Sequence, residues 1–150
     1  MLSDGTLRLV SLDLDALLDP FLAWAQLRPD VLAVALMGSR ARGTPRPDSD
    51  VDLILLVHDQ AAFRPDTWLG AIDFERPGYR VESWHDVNYG AVWSRHVLLA
   101  PAIEVEFTFA LPAWAAVDPV DPDTRAIVLA GFQILIDKDS LFATLRDQVL

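Results

Sequence analysis

The sequence predicts an α+β domain, with a mixed β-sheet and helices packed mainly on one side of it. Segments typical of strands outnumber those typical of helices, and several follow one another directly along the chain. Apolar and polar residues alternate most clearly between Ile103 and Phe109, as in a strand with one buried face. The chain has 150 residues, 52% of them apolar, so we expect one domain spanning residues 1–150 with a substantial core.

The predicted elements follow from periodicity and from breaks in it. Ser11 is a candidate N-cap for a first helix, in which apolar residues recur at three- and four-residue spacing and Pro20 is the one break. An uninterrupted apolar run then predicts a buried strand, followed by a polar segment rich in glycine and proline. In order, the predicted elements are a helix over 12–27, strands over 31–37 and 50–57, a weaker helix over 60–72, strands over 79–84, 92–99 and 103–109, a helix over 121–131, a strand over 133–136 and a helix over 140–149.

Composition excludes several classes of protein. The formal net charge is −10, with 22 acidic against 12 basic side chains, so a protein that coats nucleic acid is not expected. The absence of cysteine excludes disulfides, thiolate zinc sites, iron–sulfur clusters and cysteine nucleophiles. The longest apolar run has seven residues, against about 20 for a membrane span, and no targeting pattern is present. We therefore expect a cytoplasmic protein with no membrane partner.

The segment after the first predicted strand is suited to binding phosphate. A glycine at position 38 lets the backbone turn with positive φ and approach a ligand closely. Ser39 adds a hydroxyl, and Arg40, Arg42 and Arg46 supply fork-shaped guanidinium groups that match phosphate oxygens. A P-loop is excluded because its lysine is missing and prolines oppose the helix that should follow. The dinucleotide-binding fingerprint is excluded because position 40 is not glycine.

Four carboxylates are candidates for a metal site. Asp50 and Asp52 open the second strand, and residues two apart on a strand share a face, about 6.5–7 Å from each other. Such neighbours repel unless a cation lies between them, and hard divalent cations prefer oxygen ligands. A two-metal site for phosphoryl transfer usually needs a third carboxylate. Glu104 or Glu106, on the polar face of the 103–109 strand, would supply it if that strand neighbours the second one.

These motifs resemble those of the DNA polymerase β-like nucleotidyltransferase superfamily. The run Gly-Ser-Arg-Ala-Arg-Gly from residue 38, followed by Asp-Ser-Asp-Val-Asp-Leu from residue 48, is especially similar to the minimal nucleotidyltransferases. The segment 102–107, with Pro112 and Trp114 after it, resembles the third-acid strand of aminoglycoside nucleotidyltransferases. The resemblance covers residues 30–115 approximately and implies a nucleotidyltransferase fold, with a sheet like the palm of polymerase β.

The resemblance implies a reaction and roles for the acidic residues. A hydroxyl acceptor would attack the α-phosphate of a nucleoside triphosphate, with ATP the first choice, taking the nucleoside monophosphate and releasing pyrophosphate. Asp50 and Asp52 would bind two Mg²⁺ ions, with Mn²⁺ as the alternative. Glu104 would bind the catalytic ion and help deprotonate the acceptor, and Glu106 is the alternative for that role. Catalysis would rest on positioning and charge neutralisation.

The resemblance also implies how the substrates are held. Gly38 and Ser39 would hold the β- and γ-phosphates, and Arg40 and Arg42 the triphosphate tail. The expected acceptor is a small molecule, and the acidic composition favours a cationic one. Minimal nucleotidyltransferases also resemble antitoxins that bind or nucleotidylylate a partner protein. A protein acceptor, a homodimer or partner protein that completes the site, and a catalytically inactive nucleotide-binding module are therefore the alternatives.

The remaining polar and aromatic residues are predicted to be structural. The three histidines, His58, His85 and His96, have no mutual spacing typical of a metal site. For Trp84 and Trp114 we favour core packing over a position beside a ligand.

Overall fold

The computed structural model of the protein describes residues 12–150, so Ser11 lies outside the described residues. This range contains five α-helices and six strands, with two 3₁₀ turns, Gln60–Phe63 and Pro112–Ala115. The helices are α1 (Leu14–Leu27), α2 (Gly38–Arg42), α3 (Thr67–Gly70), α4 (Pro122–Ala130) and α5 (Leu141–Val149). The strands are β1 (Val31–Met37), β2 (Val51–Val57), β3 (Arg80–Asn88), β4 (Trp93–Ala100), β5 (Ile103–Ala110) and β6 (Phe132–Asp137).

The six strands form one mixed sheet in the order β3-β4-β5-β2-β1-β6. Strand β2 is central, running parallel to β5 and antiparallel to β1, and the other neighbours are antiparallel. The predicted α+β class and mixed sheet are therefore confirmed. Within residues 12–150 no helix is long and apolar enough to cross a membrane.

Helices cover both faces of the sheet, which differs from the expected arrangement with helices mainly on one side. Phe21 of α1 packs with Leu36 and Leu53 on one face. Phe142 of α5 belongs to a second cluster on the opposite face, with Ala35 and other alternate residues of β1 and β2. The physical reason lies in the two central strands, because both sets of alternating residues are apolar and both faces need cover.

Local signals explain where the first helices differ from the prediction. Asp13, not Ser11, caps α1, because its carboxylate accepts a hydrogen bond of 3.1 Å from the Ala16 amide. Pro20 lies within this helix without ending it. The helix expected over 60–72 is instead a 3₁₀ turn and the short α3. Pro65 between them disfavours a continuous helix.

Two cations, the buried Arg95 and the exposed Lys138, stabilise the fold. The guanidinium of Arg95 is fully buried and makes a two-pronged ion pair with Asp86, with hydrogen bonds of 2.8 and 3.0 Å. Lys138, the only lysine, donates hydrogen bonds of 3.2 and 2.8 Å to the backbone carbonyls of Ala25 and Arg28, at the end of α1. Each of these carbonyls also accepts a backbone amide hydrogen bond, so the ammonium adds a second donor at the C-terminal end of the helix.

Candidate active site

The carboxylates predicted from sequence lie together on one face of the sheet. The parallel register of β2 and β5 pairs Asp52 directly with Glu106. Asp50 lies two residues before Asp52, just ahead of β2, and the charges of Glu104 and Glu106 act on its carboxyl. The two strands are therefore neighbours, as the sequence analysis required for a shared site. The carboxylates form two adjacent pairs, Asp52 with Glu106 and Asp50 with Glu104.

Burial and mutual repulsion make these carboxyls hard to ionise. The pKa of Asp52 is raised to about 6, mainly by burial and then by the charges of Glu106 and Asp50. The pKa of Asp50 is also raised, first by burial and then by Glu104 and Glu106. A divalent cation would relieve this repulsion, and the donors are all oxygens, so the residues fit Mg²⁺ or Mn²⁺ chemically. Among residues 12–150, no three acidic or histidine side chains are already arranged to hold a metal ion.

The glycine turn lies directly against this acidic cluster. Gly38 has a φ of +72°, and its amide donates a hydrogen bond of 3.2 Å to the carbonyl of Gly131. A methyl group at Gly38 would lie 3.0 Å from Asp52 Oδ2, so only glycine lets the turn approach the carboxylate. No motif in the sequence points to Gly131, yet this position has even less space than Gly38. A methyl group at Gly131 would lie 2.5 Å from the Gly38 carbonyl oxygen.

The two arginines predicted to hold the triphosphate donate to backbone carbonyls in this structure. Arg40 makes hydrogen bonds of 3.1 and 2.7 Å to the carbonyl of Ser49, which ties α2 to the end of the following loop. Arg42 donates a hydrogen bond of 2.6 Å to the carbonyl of Ala130, at the end of α4. Both side chains therefore hold the turn in place, and their binding of phosphate stays a prediction.

His96 belongs to the same cluster, although no motif or spacing in the chain predicts it. Its Nδ1 makes a hydrogen bond of 3.1 Å with Glu104, and its Nε2 lies 3.5 Å from Glu106. Its ring stacks on that of His85, with centroids 4.8 Å apart. These contacts depend on the register of β3, β4 and β5, so spacing along the chain could not have revealed them.

Residues 22–109, more than half of the chain, match the family model described as the nucleotidyltransferase domain. The chain belongs to the nucleotidyltransferase family. Its fold is similar to a crystal structure of an aminoglycoside 6-adenyltransferase from Bacillus subtilis, with a TM-score of 0.50 and 18% sequence identity. That similarity covers 66% of this chain and 35% of the other, so this chain spans about a third of the solved relative. The comparison with curated proteins finds no match.

The family match confirms the predicted superfamily, its fold and the transferase class. At 18% identity, the likeness to the adenyltransferase supports the fold alone. The roles predicted for Gly38, Ser39, Arg40 and Arg42, and for the four carboxylates, stay predictions.

A groove of the nucleotidyltransferase domain leads away from the acidic cluster. It has a volume of about 390 Å³ and runs between the sheet, the turn before β4 and the start of α4. Glu106 is one of its lining residues, Tyr89 and Trp114 contribute aromatic surface, and Asp121 and Asp123 lie on the α4 side. Trp114 thus borders a cavity. Trp84 instead packs over the Arg95 guanidinium, 3.9 Å from the centre of its ring.

Proposed function

We propose that this domain is a metal-dependent nucleotidyltransferase that transfers a nucleoside monophosphate from a nucleoside triphosphate, with ATP the first choice, to the hydroxyl of a small molecule. Pyrophosphate is the other product. The observation that supports this most is the juxtaposition of Asp52 and Glu106 with the Gly38 turn. The raised pKa of Asp52, about 6, adds support, because carboxylates shifted by burial and by like charges cluster at functional sites.

Asp50, Asp52 and Glu106 are proposed to hold the divalent cation, Mg²⁺ or Mn²⁺. When bound, the cation neutralises the phosphates and stabilises the charge that develops during displacement. We favour Glu106 over Glu104 as the third ligand. Glu106 is directly beside Asp52 in the register, and it also lines the groove. Glu104 is further out and already accepts a hydrogen bond from His96.

The Gly38 turn is proposed to receive the triphosphate. Amides in the first turn of a helix have no intrahelical acceptor, so those of Ser39 and Arg40 are available to phosphate oxygens. The Gly38 amide is already bonded to Gly131 and serves to hold the turn. Arg40 and Arg42 contribute positive charge beside the turn while their guanidinium groups fix its conformation.

The groove is proposed to receive the acceptor. Its described lining contains three carboxylates and no basic side chain, which favours a cationic molecule over the triphosphate. Tyr89 and Trp114 offer flat apolar surface to a ring. Glu106 in its lining would accept the proton of the attacking hydroxyl. The similarity in fold to an aminoglycoside adenyltransferase makes hydroxylated organic amines the first acceptors to try.

Pyrophosphate release tests this proposal. The purified chain is incubated with each nucleoside triphosphate, Mg²⁺ or Mn²⁺, and a panel of hydroxylated amines and neutral polyols. We expect turnover with at least one amine, dependent on both the cation and the acceptor, and its loss in Asp50→Asn/Asp52→Asn. Asp48→Asn is the matched control, since Asp48 is 80% exposed beside the same loop. Equal pyrophosphate release by the wild type and the double variant would refute the proposal.

A further inference from the structure

Two glutamates lie beside the proposed metal site, and only one of them is needed as the third ligand. Glu104 and Glu106 are on the same face of β5, with side chains 33% and 22% exposed. If both were free, Glu104 would compete for the cation and leave Asp52 without a consistent partner. Something in the structure must therefore distinguish them.

His96 makes different contacts with the two glutamates. Its register partner across the β4–β5 ladder is Glu106, yet its hydrogen bond is to Glu104, at 3.1 Å from Nδ1. Nε2 lies 3.5 Å from Glu106 Oε2 and is a buried atom with no hydrogen-bond partner among the described residues. The Glu106 carboxylate therefore has no hydrogen bond with this histidine, whereas the Glu104 carboxylate is held.

The orientation of the His96 ring is itself fixed. The ring is 15% exposed and stacks nearly parallel on that of His85, with an interplanar angle of 8°. His85 is its direct partner across the β3–β4 ladder, so both rings are anchored on sheet backbone. A ring held in this way presents Nδ1 to Glu104 in a constant position, as outer partners of metal ligands commonly do.

We propose that His96 is a positioning residue that holds Glu104 away from the cation and so makes Glu106 the third metal ligand. The proposal rests on the proposed function and adds the device that assigns the two glutamates different roles. His96 itself contacts neither substrate nor cation. It acts through Glu104, whose carboxylate it binds, and the Glu106 carboxylate beside Asp52 is left for the metal.

Mn²⁺ binding to the full chain, measured by electron paramagnetic resonance with a non-hydrolysable ATP analogue present, tests this without any need for turnover. We expect Glu106→Gln to weaken Mn²⁺ binding by more than about tenfold and Glu104→Gln to leave it within about twofold. In a His96→Ala background the released Glu104 becomes an alternative ligand, so Glu106→Gln should then weaken Mn²⁺ binding by less than about threefold. In a His96→Asn background Glu106→Gln should keep its full effect, since the asparagine amide nitrogen replaces Nδ1 as the donor to Glu104.

The triple variant His96→Ala/Glu104→Gln/Glu106→Gln separates positioning from a general structural role. If His96 acts by restraining Glu104, this variant binds Mn²⁺ as weakly as Glu106→Gln alone, because the released side chain no longer carries a charge. Damage to the sheet would weaken binding in His96→Ala/Glu106→Gln as well. Circular dichroism melts show whether each variant folds.

The outcomes distinguish this inference from the proposed function. Unchanged Mn²⁺ binding in both Asp52→Asn and Glu106→Gln would overturn the proposed metal site. Weakened binding in those two, with Glu106→Gln costing as much affinity in the His96→Ala background as in the wild type, would overturn only the role of His96. A loss in Glu104→Gln as large as in Glu106→Gln would overturn it as well.

Discussion

Replacing Asp52 by asparagine should make the metal-free protein more stable and catalytically inactive. Burial and the neighbouring carboxylates raise the pKa of Asp52 from 3.8 to about 6 in the folded chain. The folded state therefore binds a proton more tightly than the unfolded state between these two values. It follows that the free energy of unfolding of the wild type falls as pH rises through this range. Asparagine does not ionise, so the variant escapes this loss.

The size of the effect follows from the pKa difference. The interval from 3.8 to about 6 corresponds to about 3 kcal/mol at neutral pH. Asp52 is only partly buried, and solvent screening reduces the expected gain to about 1–2 kcal/mol. At about pH 4 both proteins are uncharged at this position in the folded state, and the difference in unfolding free energy should be close to zero.

Urea unfolding with a chelator present, at about pH 4 and about pH 7.5, measures this difference. Asp48→Asn removes the same charge from an exposed position and should change stability by less than about 0.5 kcal/mol. Saturating Mg²⁺ should then stabilise the wild type, by about 2.7 kcal/mol at a hundredfold excess over Kd, and leave Asp52→Asn unchanged. The reasoning would be refuted if Asp52→Asn were no more stable than the wild type at neutral pH. It would also be refuted if the variant gained the same unfolding free energy at both pH values.

Three further substitutions test residues that shape the Gly38 turn or stabilise the fold. Gly38→Ala should cost about 1–2 kcal/mol in a thermal melt and abolish turnover, because the methyl group would meet Asp52 in a left-handed turn. Gly70→Ala, with open space around it, should leave both unchanged, and equal behaviour of the two variants would contradict the assigned role of the turn. Arg95→Leu should cost about 3 kcal/mol in urea unfolding, since it removes the fully buried guanidinium that makes two hydrogen bonds to Asp86, and a loss below about 1 kcal/mol would contradict this. Lys138→Met should cost about 1–2 kcal/mol while turnover is retained, so a turnover defect would show a role beyond capping.

The parts of the fold that could be predicted from sequence are those set by local pattern. The continuous apolar run 31–37 is a strand over the same residues, Val31–Met37, because seven apolar residues between breaks leave little alternative. The two aspartates at the start of β2 share a face because side chains alternate along a strand. That β5 lies beside β2 could be stated only as a condition from the sequence, because strand order depends on contacts between distant segments.

What could not be predicted depends on partners far away in the chain. The Arg42 guanidinium meets the carbonyl of Ala130, and the His96 ring meets His85 and Glu104 across two strand ladders. Spacing within one segment carries no information about either contact. The distribution of the helices was missed for a different reason. The apolar residues on both faces of the central strands were visible, and that signal favours cover on both sides.

A crystal of the full chain soaked with Mn²⁺ and a non-hydrolysable ATP analogue tests the proposed site most directly. Anomalous scattering locates the cation independently of the rest of the density. We predict a peak bounded by the carboxylates of Asp50, Asp52 and Glu106, with the triphosphate lying over the turn at Ser39. A chain that binds the analogue with no Mn²⁺ at these carboxylates, or with the triphosphate elsewhere on the sheet, would contradict the proposed function.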